Sequence, residues 1–202
     1  MGRIAVAGAF AFVLLLFGVP GEADAQGRFD PRRQARFMFD ANLAYSFVGG
    51  ELGDILDGGP GVDGALLYQI ETIPLRVGGG AGYSRHGIKE EDGSANRFSL
   101  FALAELLLFN DETEVIPYLQ GRVGWMQLTY GSNGLDSRSA GLELAVIAGV
   151  DIPVAEKISV DVSGSFGWVS GSDVEVDGIT VPDTSRSGSL FSIRAGAFFF
   201  FF

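Results

Sequence analysis

The chain has 202 residues, with 25 Asp or Glu against 14 Lys or Arg, a formal net charge of −11, and no cysteine. That acidity argues against nucleic acid as a partner and against a basic membrane-surface patch, and the lack of cysteine excludes a disulfide scaffold. Hydrophobic residues make up 47% of the chain, enough for a single domain of this length to bury its own core.

The N-terminus reads "MGRIAVAGAFAFVLLLFGVPGEADAQ": a basic start at Arg3, an apolar run from Ile4 to Pro20, and Ala23-Asp24-Ala25 as a small-x-small cleavage site. The run is short of the ~20 residues of a spanning helix, so residues 1–25 are predicted to be a removable secretory signal. Residues 26–34 follow as a short periplasmic segment, and 35–202 as one domain. The longest later apolar stretch, Leu100 to Phe109, is interrupted by Glu105 and is also too short to span as a helix. A membrane crossing would have to be made by strands.

Strands are what the domain spells out, with polarity alternating at period two between turn signals. In the first, Arg36 to Phe47, the residues Phe37, Phe39, Ala41, Leu43, Tyr45 and Phe47 oppose Arg36, Asp40, Asn42 and Ser46. The second, Val62 to Glu71, sets Val62, Leu66, Tyr68 and Ile70 against Asp63, Gln69 and Glu71. The third sets Leu75, Val77, Ala81 and Tyr83 against Arg76, three glycines and Ser84. The fourth, Arg97 to Phe109, is apolar on both faces, and Glu105 placed inward sets its phase. The fifth presents Leu119, Val123 and Trp125 against Gln120 and Arg122, and the sixth Leu142 to Ile152 against Glu143 and Asp151. The seventh opposes Ile158, Val160, Val162, Phe166 and Trp168 to Asp161 and serines; the eighth opposes Phe191, Ile193, Ala195, Ala197 and Phe199 to Ser192 and Arg194.

Short connections at 72–74, 110–114 and 153–157 alternate with longer ones at 48–61, 85–96, 127–140 and 169–189, the asymmetry of hairpins with short periplasmic turns and long outer loops. The predicted fold is all-β, an eight-stranded antiparallel up-and-down transmembrane β-barrel with its uncharged faces toward lipid. Inside so narrow a barrel the side chains must pack and the charges must pair. The inward phases collect Asp40, Glu105, Arg122, Asp161 and Arg194 as a lumen charge cluster, with Glu105 expected to meet Arg122 or Arg194. Phe47, Tyr83, Phe98, Trp125 and Trp168 fall on the apolar face at the long-loop ends, while Phe37, Phe39, Phe199 and Phe201 fall at the other end, as two aromatic girdles.

Signal, alternating strands, unequal loops and a terminal Phe together resemble the small eight-stranded outer membrane barrels of Gram-negative bacteria, the outer membrane protein A-like and W-like families. The resemblance implies a chain in the cell outer membrane, in contact with outer membrane lipid and lipopolysaccharide, a monomer without cofactor. It also implies that the aromatic end, Phe198, Phe200 and Phe202, is read as an assembly signal by the barrel assembly machinery. Counted from Phe191, Phe202 has inward parity where the family wants it outward, which a bulge near the end would repair.

Chemistry-bearing motifs are sparse. His86, the one histidine, follows Ser84 by two residues near the outer rim, with Glu90, Glu91 and Asp92 beyond; a solvated rim residue is favoured over a Ser-His-acid lipid A hydrolase. Gly78 to Gly82 lacks the spacing of a phosphate loop, and its inward glycines are read as room for long Arg or Glu side chains from the opposite wall. The acidic loop with Glu51, Asp54 and Asp57 matches no calcium pattern and is read as solvated. Val174 to Val181 carries an Asp177-Gly178 hairpin turn, so the last loop should project as a hairpin with Val174, Val176, Ile179 and Val181 on one side, available to a partner or to lipopolysaccharide. The expected function is non-enzymatic, a structural or surface-interaction protein displaying loops on a plugged barrel; a narrow channel for small or apolar solutes is the alternative.

Overall fold

The structure, a computed structural model, describes residues 36–70, 73–89, 93–108, 115–132, 135–176, 179–182 and 184–201. The predicted signal and periplasmic segment, Glu90 to Asp92, the turn at 110–114, Asp177-Gly178 and Phe202 lie outside these residues. The elements are β1 (Phe37–Gly50), α1 (Glu51–Ile55), β2 (Gly59–Ile70), β3 (Leu75–Gly87), β4 (Ser94–Leu107), β5 (Ile116–Ser132), β6 (Leu135–Ala155), β7 (Ile158–Gly171), β8 (Val174–Val176), β9 (Ile179–Val181) and β10 (Ser187–Phe201).

Eight of the strands, β1 to β7 and β10, form a closed antiparallel barrel. Each pairs with its neighbour in sequence, β7 pairs with β10, and β10 closes the circuit on β1. Closure leaves the eight barrel strands no free edge, so their backbone donors and acceptors can be met without water. The alternation places its apolar face outward as the sequence reading expects: Leu43, Leu66, Val123, Val146 and Phe166 are each more than half exposed. A continuous exposed apolar belt around a closed barrel is the surface that hydrocarbon covers. Met38, Asp40, Asn42, Ser46, Arg76, Glu105 and Gln120 point the other way and are buried.

Four features differ from the sequence reading. The long loop expected at 127–140 is ladder: β5 and β6 stay in register as far as Ser132 opposite Leu135, so this wall stands well above the aromatic girdle. The last loop does form a hairpin, β8 against β9, but β8 lies along β6, pairing Val176 with Ser137 and Glu175 with Arg138 beyond the point where β7 leaves it. The acids of the loop after β1, Glu51, Asp54 and Asp57, are exposed as expected, but the segment is not a plain loop: it contains α1, and Leu52 and Leu56 turn inward and are buried. Finally, a Cβ at Gly78 or Gly80 would lie 2.1 Å from the carbonyl oxygen of Leu66 or Gly64. These glycines therefore serve the close approach of β2 backbone to β3 rather than opening room for distant side chains.

Candidate functional site

The lumen holds a hydrogen-bonded ladder of charged and amide side chains. At its inner end Arg76 donates to Glu105 Oε1 at 2.8 Å and to Gln69 Oε1 at 3.3 Å. Gln120 donates to the other Glu105 oxygen at 3.1 Å and accepts from Arg122 Nε at 2.9 Å. Arg122 then reaches Asp63 Oδ1 at 3.0 Å, an oxygen that Arg194 also contacts at 2.6 Å. The ladder thus crosses from β3 through β4 and β5 to β2 and β10, and ion pairs at this depth persist because each charge has an opposite charge or an amide against it.

All five predicted cluster residues face inward, but they are not joined as expected. Glu105 meets Arg76, its direct partner in the β3–β4 register, and reaches Arg122 only through Gln120. Asp161 sits apart, accepting from the Tyr118 hydroxyl at 2.7 Å and the Ser163 hydroxyl at 3.0 Å, and Asp40 accepts from the Asn42 amide at 2.8 Å. Two members missing from the predicted set, Asp63 and Arg76, are the hubs. Both have inward parity in the sequence, and counting residues back from the β3–β4 turn would have placed Arg76 against Glu105; Asp63 had no such signal, since its partners lie on strands β5 and β10.

Apolar clusters close the ladder in at both ends. Toward the short turns, Met38, Leu67, Leu103, Phe198 and Phe200 fill the interior, with the Arg76 guanidinium 5.4 Å from the Phe198 ring centre and 5.9 Å from that of Phe200. Toward the long loops, α1 drops Leu52 into the mouth, where Leu52 and Leu56 pack with Ala95, Met126, Leu128, Val169 and Leu190. Gly50, at φ 70°, makes the sharp entry into α1, and Gly188 lets it sit close, since a Cβ there would be 2.8 Å from that of Leu52. Between the two lies a polar cavity of about 40 Å³ bordered by Asp63, Arg97, Arg122, Glu143 and Arg194, space for very little beyond water.

His86 belongs to this stopper and is not a solvated rim residue. It is 2% exposed; its Nδ1 lies 3.1 Å from the Asp57 carbonyl and its Nε2 2.9 Å from the Ser84 hydroxyl. A carbonyl only accepts, so Nδ1 carries the proton and Nε2 of the neutral ring accepts from Ser84. The Ser-His contact of a nucleophile and its base is present, but it is turned into the barrel beneath α1, and its third partner is a backbone carbonyl. What the pair does is fasten the segment after α1. Asp57 N–H to the Gly87 carbonyl (2.9 Å) and Lys89 N–H to that of Ile55 (2.9 Å) complete the fastening. The sequence reading missed the stopper; its one local trace is Leu52, Ile55 and Leu56 at i, i+3, i+4 spacing inside an acidic loop, too short a run to announce a helix by itself.

On the outer surface Phe47, Tyr83, Trp125 and Trp168 are all exposed at the long-loop end; Phe47 lies 6.1 Å from Phe191, and Phe98 lies 6.5 Å from Trp125, between ring centres. At the other end Phe37, Phe39, Tyr68, Phe199 and Phe201 gather on β10, β1 and β2. β10 pairs with β1 without interruption from Gly188 to Phe201. No bulge shifts its parity over that range, and Phe198 and Phe200 are inside the barrel.

Comparison with known proteins agrees with this architecture. The family described as "Outer membrane protein beta-barrel domain" matches residues 9–182. Among solved structures, Neisserial surface protein A superposes with a TM-score of 0.63 at 20% identity, covering 83% of this chain and 98% of that one. OprG from Pseudomonas aeruginosa gives 0.55 at 12% identity over 88% and 99%, and a major outer membrane protein from Thermus thermophilus gives 0.51 at 12% over 82% and 99%. No curated protein matches the sequence.

Proposed function

Because the chain belongs to the outer membrane protein β-barrel domain family, and so resides in the cell outer membrane, we propose that it is a non-enzymatic barrel whose work is done by the loops it displays, its lumen being closed. The observation that carries this reading is the apolar stopper built by Leu52 and Leu56 over the charged ladder. A closed, internally paired lumen anchors a surface rigidly in the membrane, and rigid elements hold a binding surface more accurately than free loops do. Outer membrane lipid and lipopolysaccharide are its surroundings and the barrel acts as a monomer. The narrow-channel reading draws on the small polar cavity beside Arg97 and Glu143.

Single-channel recording in planar bilayers separates the two. The wild-type protein is expected to show no sustained conductance, whereas Leu52→Asp, which forces a charge among Leu56, Met126 and Leu190, is expected to lift α1 and admit ions. Steady conductance in the wild type would decide for the channel.

The aromatic end is proposed to be read during assembly. Phe200 is part of the inner apolar cluster, so trimming three residues would damage the fold itself; removing Phe202 alone is the cleaner change. That removal is expected to slow accumulation of heat-modifiable barrel in cells while leaving refolding in detergent unaltered. Normal accumulation in cells would show that the terminal residue is not being read.

A further inference from the structure

Above the stopper the tall β5–β6 wall, the start of β8 at Val174 and the stretch leading into β10 border an open cup of about 220 Å³. Its floor is Leu52 and Ile55 of α1, its wall includes Leu128, Tyr130 and Val174, and Arg186 stands at its rim. The Arg186 guanidinium is near enough to Tyr130 to act electrostatically on its hydroxyl, and among the described residues it has no ion-pair partner. Two described acids of the same rim, Asp173 and Glu51, accept backbone N–H groups rather than the guanidinium. Asp173 Oδ1 accepts from the backbone N–H groups of Thr184 (3.2 Å) and Ser185 (3.0 Å), and Glu51 Oε2 accepts from that of Ser187 (2.9 Å). Thr184 ties the stretch down further, its Oγ1 accepting from Val174 N–H at 2.8 Å. Among the described residues, then, Arg186 is an exposed cation without an ion-pair partner at the edge of a largely apolar hollow, on a stretch of backbone that is tied down on both sides.

We propose that the cup is a binding site for small amphiphilic carboxylates, with an aromatic or short aliphatic body against Leu52, Ile55, Leu128 and Val174 and the carboxylate on Arg186. The volume lies below the ~300–1,000 Å³ of sites for drug-sized ligands, so the occupant is smaller than these and far smaller than a lipid. The cup opens on the loop side, away from the acyl region, so its ligand arrives from the medium. The site goes beyond the display reading and does not depend on whether the barrel conducts.

The test is calorimetric titration of phenylbutyrate into the full chain held in lipid nanodiscs, with empty nanodiscs as the blank and phenylbutylamine as the oppositely charged probe of the same body. Saturable binding of the carboxylate with at least ~10-fold preference over the amine is expected, because only the former can form the charge-assisted bond to the guanidinium. Arg186→Gln is expected to abolish that preference, and Val174→Trp, which fills the hollow, to abolish binding of both probes. Heats indistinguishable from empty nanodiscs, equal affinity for the two probes in the wild type, or an unchanged preference in Arg186→Gln would each overturn the proposal. The two-probe comparison on the wild type stands even if a variant fails to fold, and conductance, read separately, leaves the result untouched.

Discussion

Replacing Arg76 by alanine is expected to destabilise the barrel by about 3–5 kcal/mol, measured by urea unfolding in lipid vesicles. Arg76 is 1% exposed and Glu105 is fully buried. Removing the guanidinium leaves the buried Glu105 carboxylate with, among the described residues, only the Gln120 amide to meet it. Glu105→Ala should cost a similar amount by stranding the arginine, though Asp151, 3.8 Å from the Arg76 guanidinium, softens that loss. Because each single change strands its partner, the double variant should cost clearly less than the sum, with a coupling of ~1–3 kcal/mol. Glu105 with Arg122, which touch only through Gln120, should couple more weakly and lose that coupling in a Gln120→Leu background. Arg138→Ala, on the exposed outer part of β6, should change stability by less than ~0.5 kcal/mol. Additive behaviour of Arg76 and Glu105 would contradict the ladder.

Arginine placed at Val146 is expected to impair insertion by about 2–4 kcal/mol, the cost of a cation on the lipid face near the bilayer midplane. Val146 is 52% exposed and lies between Gly121 of β5 and Phe166 of β7, midway between the girdle at Trp125 and Trp168 and the inner rim at Ile152 and Ile158. Its neighbour Ala145 borders the polar cavity with Asp63 and Glu143. Arginine there should be tolerated better, since carboxylates face it and a long side chain has a hydrated direction to take. A folding titration into bilayers reads both; equal, small effects would mean that the outward face is not the lipid face.

Parity was legible in the sequence because a strand's side chains alternate whatever the strand packs against. The outward apolar set, the phase of β4 from Glu105 alone, the antiparallel order from the alternating loops and the inward character of Asp40, Arg122, Asp161 and Arg194 all follow from that local rule. Parity says nothing about height along the barrel axis. Strand tilt and stagger set that, and they bring Asp63 of β2 to the level of both Arg122 and Arg194 while keeping Arg122 one amide away from Glu105. Strand length escapes the local rule where polar residues such as Gln127, Ser137 and Ser139 continue a ladder above the membrane: in water an alternating apolar face is no longer required, so the signal fades while the hydrogen bonds persist. The stopper likewise belonged to tertiary structure. A short helix such as Glu51–Ile55 has little stability of its own and forms because the barrel mouth offers Leu52 and Leu56 an apolar seat, with Gly188 clearing the space and Asp57 held by His86.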